Sequence, residues 1–404
     1  MEYIMKRLVY LLCILTFIFS VFGQESDLEK YKRMASEDVG KWKQEVDAEM
    51  DAYQERVEKE RKEWKEYVNK VRGQWGEYTG STPKAWAEYS NDLKALSVVD
   101  FENNYIEIST IVDTDNRTKS EAQIQKRFEE MLAAKEEGSN RKLLTGQIKF
   151  EQKANFIKPT KKKIIVDRPK DKKVYKAVTQ ENQKKFVKET VKKKLKKEVI
   201  IGDDGRARTK YTVTLEMVPN SIQIRAKKYM DLIQKYSKKY DLDPALVMAL
   251  IHTESAFNPK AFSRRPDGTP MACGLMQIIP SQAGRDAHKA LFGKDKIVKP
   301  EYLFDPEKNL AMGTWYIRWL TKWWNRIEKK KHGKASSVIK NEYFTISSYN
   351  QGIGTILNKA YKPRRLNEKS DSETYSILTT DRAIPQEGRH YLERVNRRKK
   401  LYQK

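Results

Sequence analysis

Glu254 closes an apolar run, LVMALIHTESAFNPKAF (residues 246–262), that halts at Asn258-Pro259. Val247, Leu250, Ile251 and Glu254 recur at helical spacing, so the carboxylate shares a stripe with apolar neighbours and points inward. Burial disfavours the charged form, and the carbonyls of a last helical turn disfavour an anion too; both raise the pKa. A carboxylic acid that keeps its proton near neutral pH is a general acid. The ordinary alternative is a glutamate paired with an arginine or capped by backbone amides.

Three further stretches are candidates to complete a site around this acid. In ACGLMQIIPSQAGRD, Gly274 permits a close backbone turn, Gln277 offers an amide, and Pro280-Ser281 opens a helix. In ISSYNQGIGTI, Tyr349 and Asn350 precede Gly352 and Gly354, a polar aromatic segment with backbone freedom. In IPQEGRHYLERV, Tyr391 stands beside Arg389 and Glu387. Alone, each is explained by a turn or an internal hydrogen bond. Metal chemistry has no support: His252, His288, His332 and His390 show no ligand spacing, and Cys273 has no partner cysteine.

The elements that must position these residues follow from patterning over 404 residues. Lys6 and Arg7 precede an apolar run from Leu8 to Phe22, so residues 1–23 read as a signal peptide, with an uncleaved anchor as the alternative. Cys13 falls inside it. Residues 24–83 read as a long charged amphipathic helix, with Trp42, Val46, Met50, Tyr53, Val57, Trp64, Val68, Val71 and Trp75 at steps of three, four and seven. It is expected to pack on its own protein; a self-associating coiled coil is the alternative.

Residues 84–219 read as a mixed α/β domain. Val99 and Phe101, then Ile106, Ile108 and Thr110, alternate about Asn103-Asn104 as a hairpin, and Asp204-Gly205 turns a second one before Tyr211, Val213, Leu215 and Met217. Between them Val187, Val191 and Leu195 recur among Lys184, Lys185, Lys188, Lys192, Lys193, Lys194, Lys196 and Lys197 as a basic amphipathic helix. That pattern is a solvated face or a patch for anionic wall polymer or lipid headgroups. From 220 onward the texture changes to tight helices: Asn220 is placed to cap one through Ile222, Ala226, Tyr229, Met230, Ile233 and Tyr236, and Asp243-Pro244 opens the next. Trp315, Trp319 and Trp323 form a stripe expected in the core, with sugar stacking at a groove rim as the alternative.

Glu254-Ser255, Gly274-Leu275-Met276-Gln277, Tyr349-Asn350-Gln351-Gly352 and Tyr391 resemble, in order and spacing, the four motifs of the lytic transglycosylase domain related to goose-type lysozyme. The resemblance covers about 221–403. Upstream, VVDFENNYIEISTIV and DDGRARTKYTVTLEMVPNSI look like the extra domain of the membrane-bound C-type branch of that family. The chain departs from the pattern at Ser348, where Ala is usual, at Gly388, where Thr is common, and in lacking the lipid-attachment cysteine. The resemblance implies an α+β chain: a mostly α-helical lysozyme-like catalytic domain, residues 220–404, behind the smaller mixed domain and long helix.

It also implies an enzyme that cuts the β-1,4 bond between N-acetylmuramic acid and N-acetylglucosamine in peptidoglycan, without water and without a cofactor. Glu254 is then acid and base in turn. Ser255, Gly274, Leu275, Met276, Gln277, Tyr349, Asn350 and Tyr391 are the implied substrate-binding set, with Met276 lining the groove. Two rivals stand beside this reading. A goose-type muramidase needs a second carboxylate across the groove, for which Asp286 and Glu387 are available; a non-catalytic wall-binding protein needs only the long helix and the lysines. The formal charge of +26 draws the chain to polyanions, with glycan strands or an anionic membrane face preferred to nucleic acid because the lysine-rich stretch has few aromatics to stack bases.

Overall fold

A computed structural model describes residues 25–133, 149–151, 175–177, 183–217 and 220–403. The segment 1–23 expected as a signal peptide, Cys13 and the stretch just before residue 183 lie outside them. Two compact units divide the chain, residues 1–59 and 60–404. Helix α1 is Glu25–Trp75. In the first unit its Val46, Met50, Tyr53 and Val57 are half-buried, as their shared stripe requires.

In the second unit, five antiparallel strands form a sheet in the order β1-β2-β3-β7-β6. The strands are β1 (Ala85–Tyr89), β2 (Ala95–Asp100), β3 (Tyr105–Val112), β6 (Lys196–Ile201) and β7 (Ala207–Glu216); a separate two-stranded pair, β4 (Lys149–Glu151) and β5 (Tyr175–Ala177), lies between in sequence. Both expected hairpins form. Val99 faces Ile106 across the first, where Asn104 takes φ of 58° as its side chain allows, and Lys197 faces Tyr211 in the second. The pairing of β3 with β7, Ile108 opposite Val213, joins hairpins far apart in sequence.

Alternation gives the sheet two faces. Val99, Phe101, Ile106, Ile108, Val213 and Leu215 bury one face together with Ile124 and Phe128 of α2 (Arg117–Ala133) and Val191 of α3 (Gln183–Lys194). Leu96, Val98 and Ile111 bury the other against Val71 and Trp75 from the end of α1. The lysine-rich helix therefore exists and packs by Val191, with Lys188, Lys192, Lys193 and Lys194 in solvent. Val199 and Ile201 on edge strand β6 are also exposed.

Beyond residue 220 the chain is helical around one large core. The expected helix from Asn220 is broken at Lys228-Tyr229 into α4 (Ser221–Lys227) and α5 (Met230–Tyr240), and Asn220 makes no side-chain cap. Ser221 instead hydrogen-bonds Asn104 in the β2–β3 turn. Helix α6 (Pro244–Ser255) opens as expected, Asp243 accepting from Ala245 N–H at 2.8 Å with Pro244 in the first turn. After it come a short hairpin, β8 (Phe262–Arg264) and β9 (Pro270–Cys273), then α7 (Arg285–Phe292), α8 (Pro306–His332), α9 (Val338–Gln351), α10 (Asp371–Thr380) and α11 (Gln386–Lys399).

The tryptophan stripe is core only in part: Trp315 and Trp323 pack against the helical core and Trp319 does not. Trp315 and Trp323 are half-buried and Trp319 is exposed, while their neighbour Trp324 is wholly enclosed. A helix lying on a core buries only one strip of its surface, and α8 turns Trp324 rather than Trp319 toward it.

Candidate active site

Helix α6 is apolar on every side, and nearly all its residues are buried. Apart from exposed Pro244 at its start, Glu254 is the exception: it is half-buried at the last turn, the one carboxylate in an apolar cylinder. Burial pushes its pKa up to about 7. The Tyr391 hydroxyl, donating to Oε1 at 2.5 Å, pulls the other way, as do Lys84 and Arg394, whereas the charge of Glu387 reinforces the rise. Glu254 is thus neither paired with an arginine nor capped by amides through any contact seen among the described residues; its hydrogen-bond partner is a phenol.

Tyr391 is 2% exposed and comes from α11. Tyr349, at the end of α9, donates to the Met276 carbonyl at 2.7 Å. Burial, then the neighbouring Glu254 charge, holds both phenols well above their ordinary pKa. Both remain protonated donors.

The segment 274–277 is a built loop. Gly274 has φ of 76°, and a Cβ there would sit 2.2 Å from both Asn309 Nδ2 and the Leu303 carbonyl, so only glycine fits. Asn309 in α8 is fully buried and clamps the loop: its Oδ1 accepts from Met276 N–H at 2.8 Å, and its Nδ2 donates to the Cys273 and Leu303 carbonyls at 2.9 Å. The Ser255 hydroxyl donates to the Leu275 carbonyl at 2.7 Å and so ties the end of α6 to the same loop.

These contacts divide the expected substrate-binding set. Ser255, Leu275 and Met276 have no exposed surface, so their side chains support the loop instead of meeting a ligand. Met276 does not line a groove; its sulfur lies under Gly313 of α8, where a Cβ would come within 2.3 Å. Gln277 is half-buried and spends its amide on the Ala261 and Gly274 carbonyls. Tyr349 and Asn350 are half-buried at the end of α9, and Asn350 accepts from Gln351 Nε2 at 2.6 Å. Glu254, Tyr391, Tyr349 and the loop are brought together; no contact is recorded between Asn350 and Glu254.

The departures at Ser348 and Gly388 have local reasons. Ser348 is fully buried and accepts from Trp324 Nε1 at 3.0 Å, a bond alanine cannot make. At Gly388 a Cβ would fall 2.4 Å from Gln351 Cγ, so α11 approaches α9 closely only without a side chain. Residues the sequence reading passed over include Asn309 and Tyr316. The latter stacks on Trp319 at 5.8 Å and tilts against Tyr349 at 5.7 Å, so an aromatic path leads from exposed Trp319 toward the Glu254 site. An asparagine three residues after a helical Pro306 carries no sequence signal for a loop clamp, and Tyr316 lies outside the four-residue spacing of the tryptophans.

His252 is a packing residue, its ring 2.9 Å from the Tyr402 hydroxyl and its pKa pushed down to about 3 by burial. Burial pushes the Cys273 thiol up to about 12, far from a thiolate nucleophile. Among the described residues, no group of His, Cys, Asp and Glu could hold a metal ion.

Residues 231–372 match the family described as Transglycosylase SLT domain. Membrane-bound lytic murein transglycosylase C of Edwardsiella ictaluri is 35% identical over 199 residues, 48% of this chain and 52% of that protein. The protein of the same description from Salmonella arizonae is also 35% identical over 199 residues, 48% of this chain and 51% of its own. Among solved structures, the 70 kDa soluble lytic transglycosylase of Escherichia coli aligns at 26% identity over 43% of this chain and 24% of that one, with a TM-score of 0.31. The chain spans about half the length of the curated relatives it matches. The family match runs from α5 into α10 and encloses Glu254.

Proposed function

We propose that the protein is a lytic murein transglycosylase. It cleaves the β-1,4 bond between N-acetylmuramic acid and N-acetylglucosamine in peptidoglycan and leaves a 1,6-anhydromuramoyl end. Glu254 donates its proton to the glycosidic oxygen as the bond to the muramoyl C1 breaks. The resulting carboxylate then takes the proton of the C6 hydroxyl of the same ring as that oxygen closes onto C1. One carboxyl serves twice, and no water is consumed.

The observation that carries this reading is the state of Glu254. Burial pushes its pKa up to about 7, so a proton can be both given and taken back near neutrality, which suits a group that is acid first and base second. Tyr391 holds the carboxyl in place through each change of charge, with Tyr349 and the 274–277 loop behind it. The relatives are named for the same activity.

Hydrolysis of the same bond is the second reading, favoured by one observation: the charge of Glu387, in the first turn of α11, reaches Glu254 and raises its pKa. A second carboxylate so placed is a candidate base for water. Digestion of purified sacculi followed by mass spectrometry separates the two. Products lighter by one water identify ring closure, full-weight reducing ends identify hydrolysis, and no release leaves a binding protein. Glu254→Gln should lower release by more than about a thousandfold while the protein still folds and sediments with sacculi; retained turnover would sink the assignment.

Such a substrate places the protein outside the cytoplasmic membrane, in keeping with the signal-like residues 1–23. The matched relatives are called membrane-bound; among the described residues no helix is long and apolar enough to cross a membrane. The exposed lysines of α3 supply attraction to the carboxylates of the wall peptides.

A further inference from the structure

The β2–β3 turn reaches the helix that carries Glu254. Arg225 of α4 is fully buried; its Nε donates to the Ala256 carbonyl at 2.9 Å and its Nη2 to the Phe101 carbonyl at 2.8 Å. Its guanidinium also lies 5.0 Å over the Phe101 ring. Arg398 of α11 donates through Nη1 to the His252 carbonyl at 3.0 Å and pairs through Nη2 with Glu102. Glu102 in turn pairs with Lys84 at 2.9 Å. The backbone on either side of Glu254, at 252 and 256, is therefore bound through two arginines to the adjacent turn residues 101 and 102.

Packing and strain point the same way. Ala256 belongs to the core of the sheet, enclosed with Phe101, Ile124 and Phe128 and not with the helices around it. Ala256 and Phe257 both take positive φ, 49° and 62°, which costs non-glycine residues of order 1 kcal/mol or more each and persists only where the surroundings impose it. The last carbonyls of a helix lack intrahelical partners, and cations are favoured there. Arg225 supplies a donor to the Ala256 carbonyl, and Arg398 adds a charged donor to the His252 carbonyl, which also accepts from Ala256 N–H at 3.2 Å; both arginines lie outside the matched residues 231–372.

We propose that the sheet module is a working part of the active site, with Arg225 and Arg398 as positioning residues that, anchored on Phe101 and Glu102, set the aim of Glu254. The inference rests on the reading of Glu254 as the acid. The charged and titratable groups facing that carboxyl are Lys84 from the sheet module, Tyr391, Glu387 and Arg394 from α11, and Tyr349 from α9. Only Lys84 is carried by the turn's own ion-pair chain, so loosening Glu102 moves a cation as well as the helix end.

Glu102→Gln and Arg398→Lys in the full chain test this. With solubilised glycan strands, Glu102→Gln should lower kcat roughly ten- to a hundredfold while KM stays within about twofold, because misplacement of the acid affects the reaction more than binding. Arg398→Lys keeps the cation and should fall between it and wild type. The carboxyl titration of Glu254, followed by NMR on protein labelled with 13C at glutamate, should shift its midpoint in Glu102→Gln. Unchanged kcat and an unchanged titration in both variants, with only a lower melting temperature, would overturn the proposal. The titration keeps the two readings apart: activity surviving in Glu254→Gln removes the acid assignment, whereas the midpoint still reports whether the turn controls that carboxyl.

Discussion

Glu254 and the lysines around α3 are two ways for one chain to carry charge. Glu254 stands alone in an apolar helix, and burial moves its proton affinity into the neutral range. Lys188, Lys192, Lys193, Lys194 and Lys196 crowd one short stretch, and all five remain in solvent. Water screens such charges from one another and from the core within about 8–10 Å at ordinary salt. Charge density therefore says little about chemistry, whereas one desolvated group changes what the protein can do. On the proposed function the lysines act at a distance, on encounter, and the carboxyl acts at contact.

If that contrast is right, disturbing the enclosed region should cost far more than disturbing the exposed one. The largest effect on stability belongs to Asn309→Ala, which leaves Met276 N–H and two carbonyls without their partner inside the core. We expect a loss of about 3 kcal/mol, measured as a lower urea midpoint.

Next comes the acid itself. Folded Glu254 titrates near 7, against about 4.3 for an unfolded glutamate, so the folded state is penalised for carrying the anion. The penalty is absent below the unfolded value, grows as pH rises between the two, and is complete above the folded value. Glu254→Gln should therefore be more stable than wild type by roughly 2 kcal/mol at about pH 8 and indistinguishable from it near pH 4. Denaturation at both pH values checks this, and equal stability at the higher one would mean that the carboxylate is well solvated.

Tyr391→Phe removes the one hydroxyl that, among the described residues, bonds Glu254. Since that bond favours the charged form, its loss should raise the acid's pKa further and carry the alkaline limb of the kcat profile upward, with kcat falling about tenfold. A limb that stayed in place would assign the profile to another group. The smallest effect belongs to the lysines. Reversing Lys188, Lys192, Lys193 and Lys194 to glutamate should weaken sedimentation with sacculi severalfold at low salt, leave turnover of short soluble glycans unchanged, and lose its effect on binding at about 1 M salt.

Local pattern made much of this molecule legible. The β2–β3 and β6–β7 hairpins, the cap at Asp243-Pro244, the basic helix with Val191 inward and the burial of Glu254 all follow from periodicity and turn chemistry over a few residues. Strand β1 and helix α2 were not read, since AWAEY is too short to alternate clearly and α2 is strongly polar. Spacing names the tryptophans that share a face but not how far that face is covered, which is why Trp315 and Trp323 pack on the core while Trp319 is exposed. Ser255, Leu275 and Met276 were grouped with the ligand contacts because adjacency in a motif does not distinguish a side chain that meets a ligand from one that holds the loop.

What the sequence determined by itself is the helix that bears Glu254 and the inward direction of its carboxyl, because a carboxylate on an apolar stripe has one direction to face. Only the tertiary structure decided its surroundings. Tyr391 comes from 137 residues away, Asn309 from another helix, and Arg225, Arg398 and Glu102 from elements flanking the helical core. Contacts between segments so distant depend on how whole helices and a sheet pack, and no local periodicity encodes that.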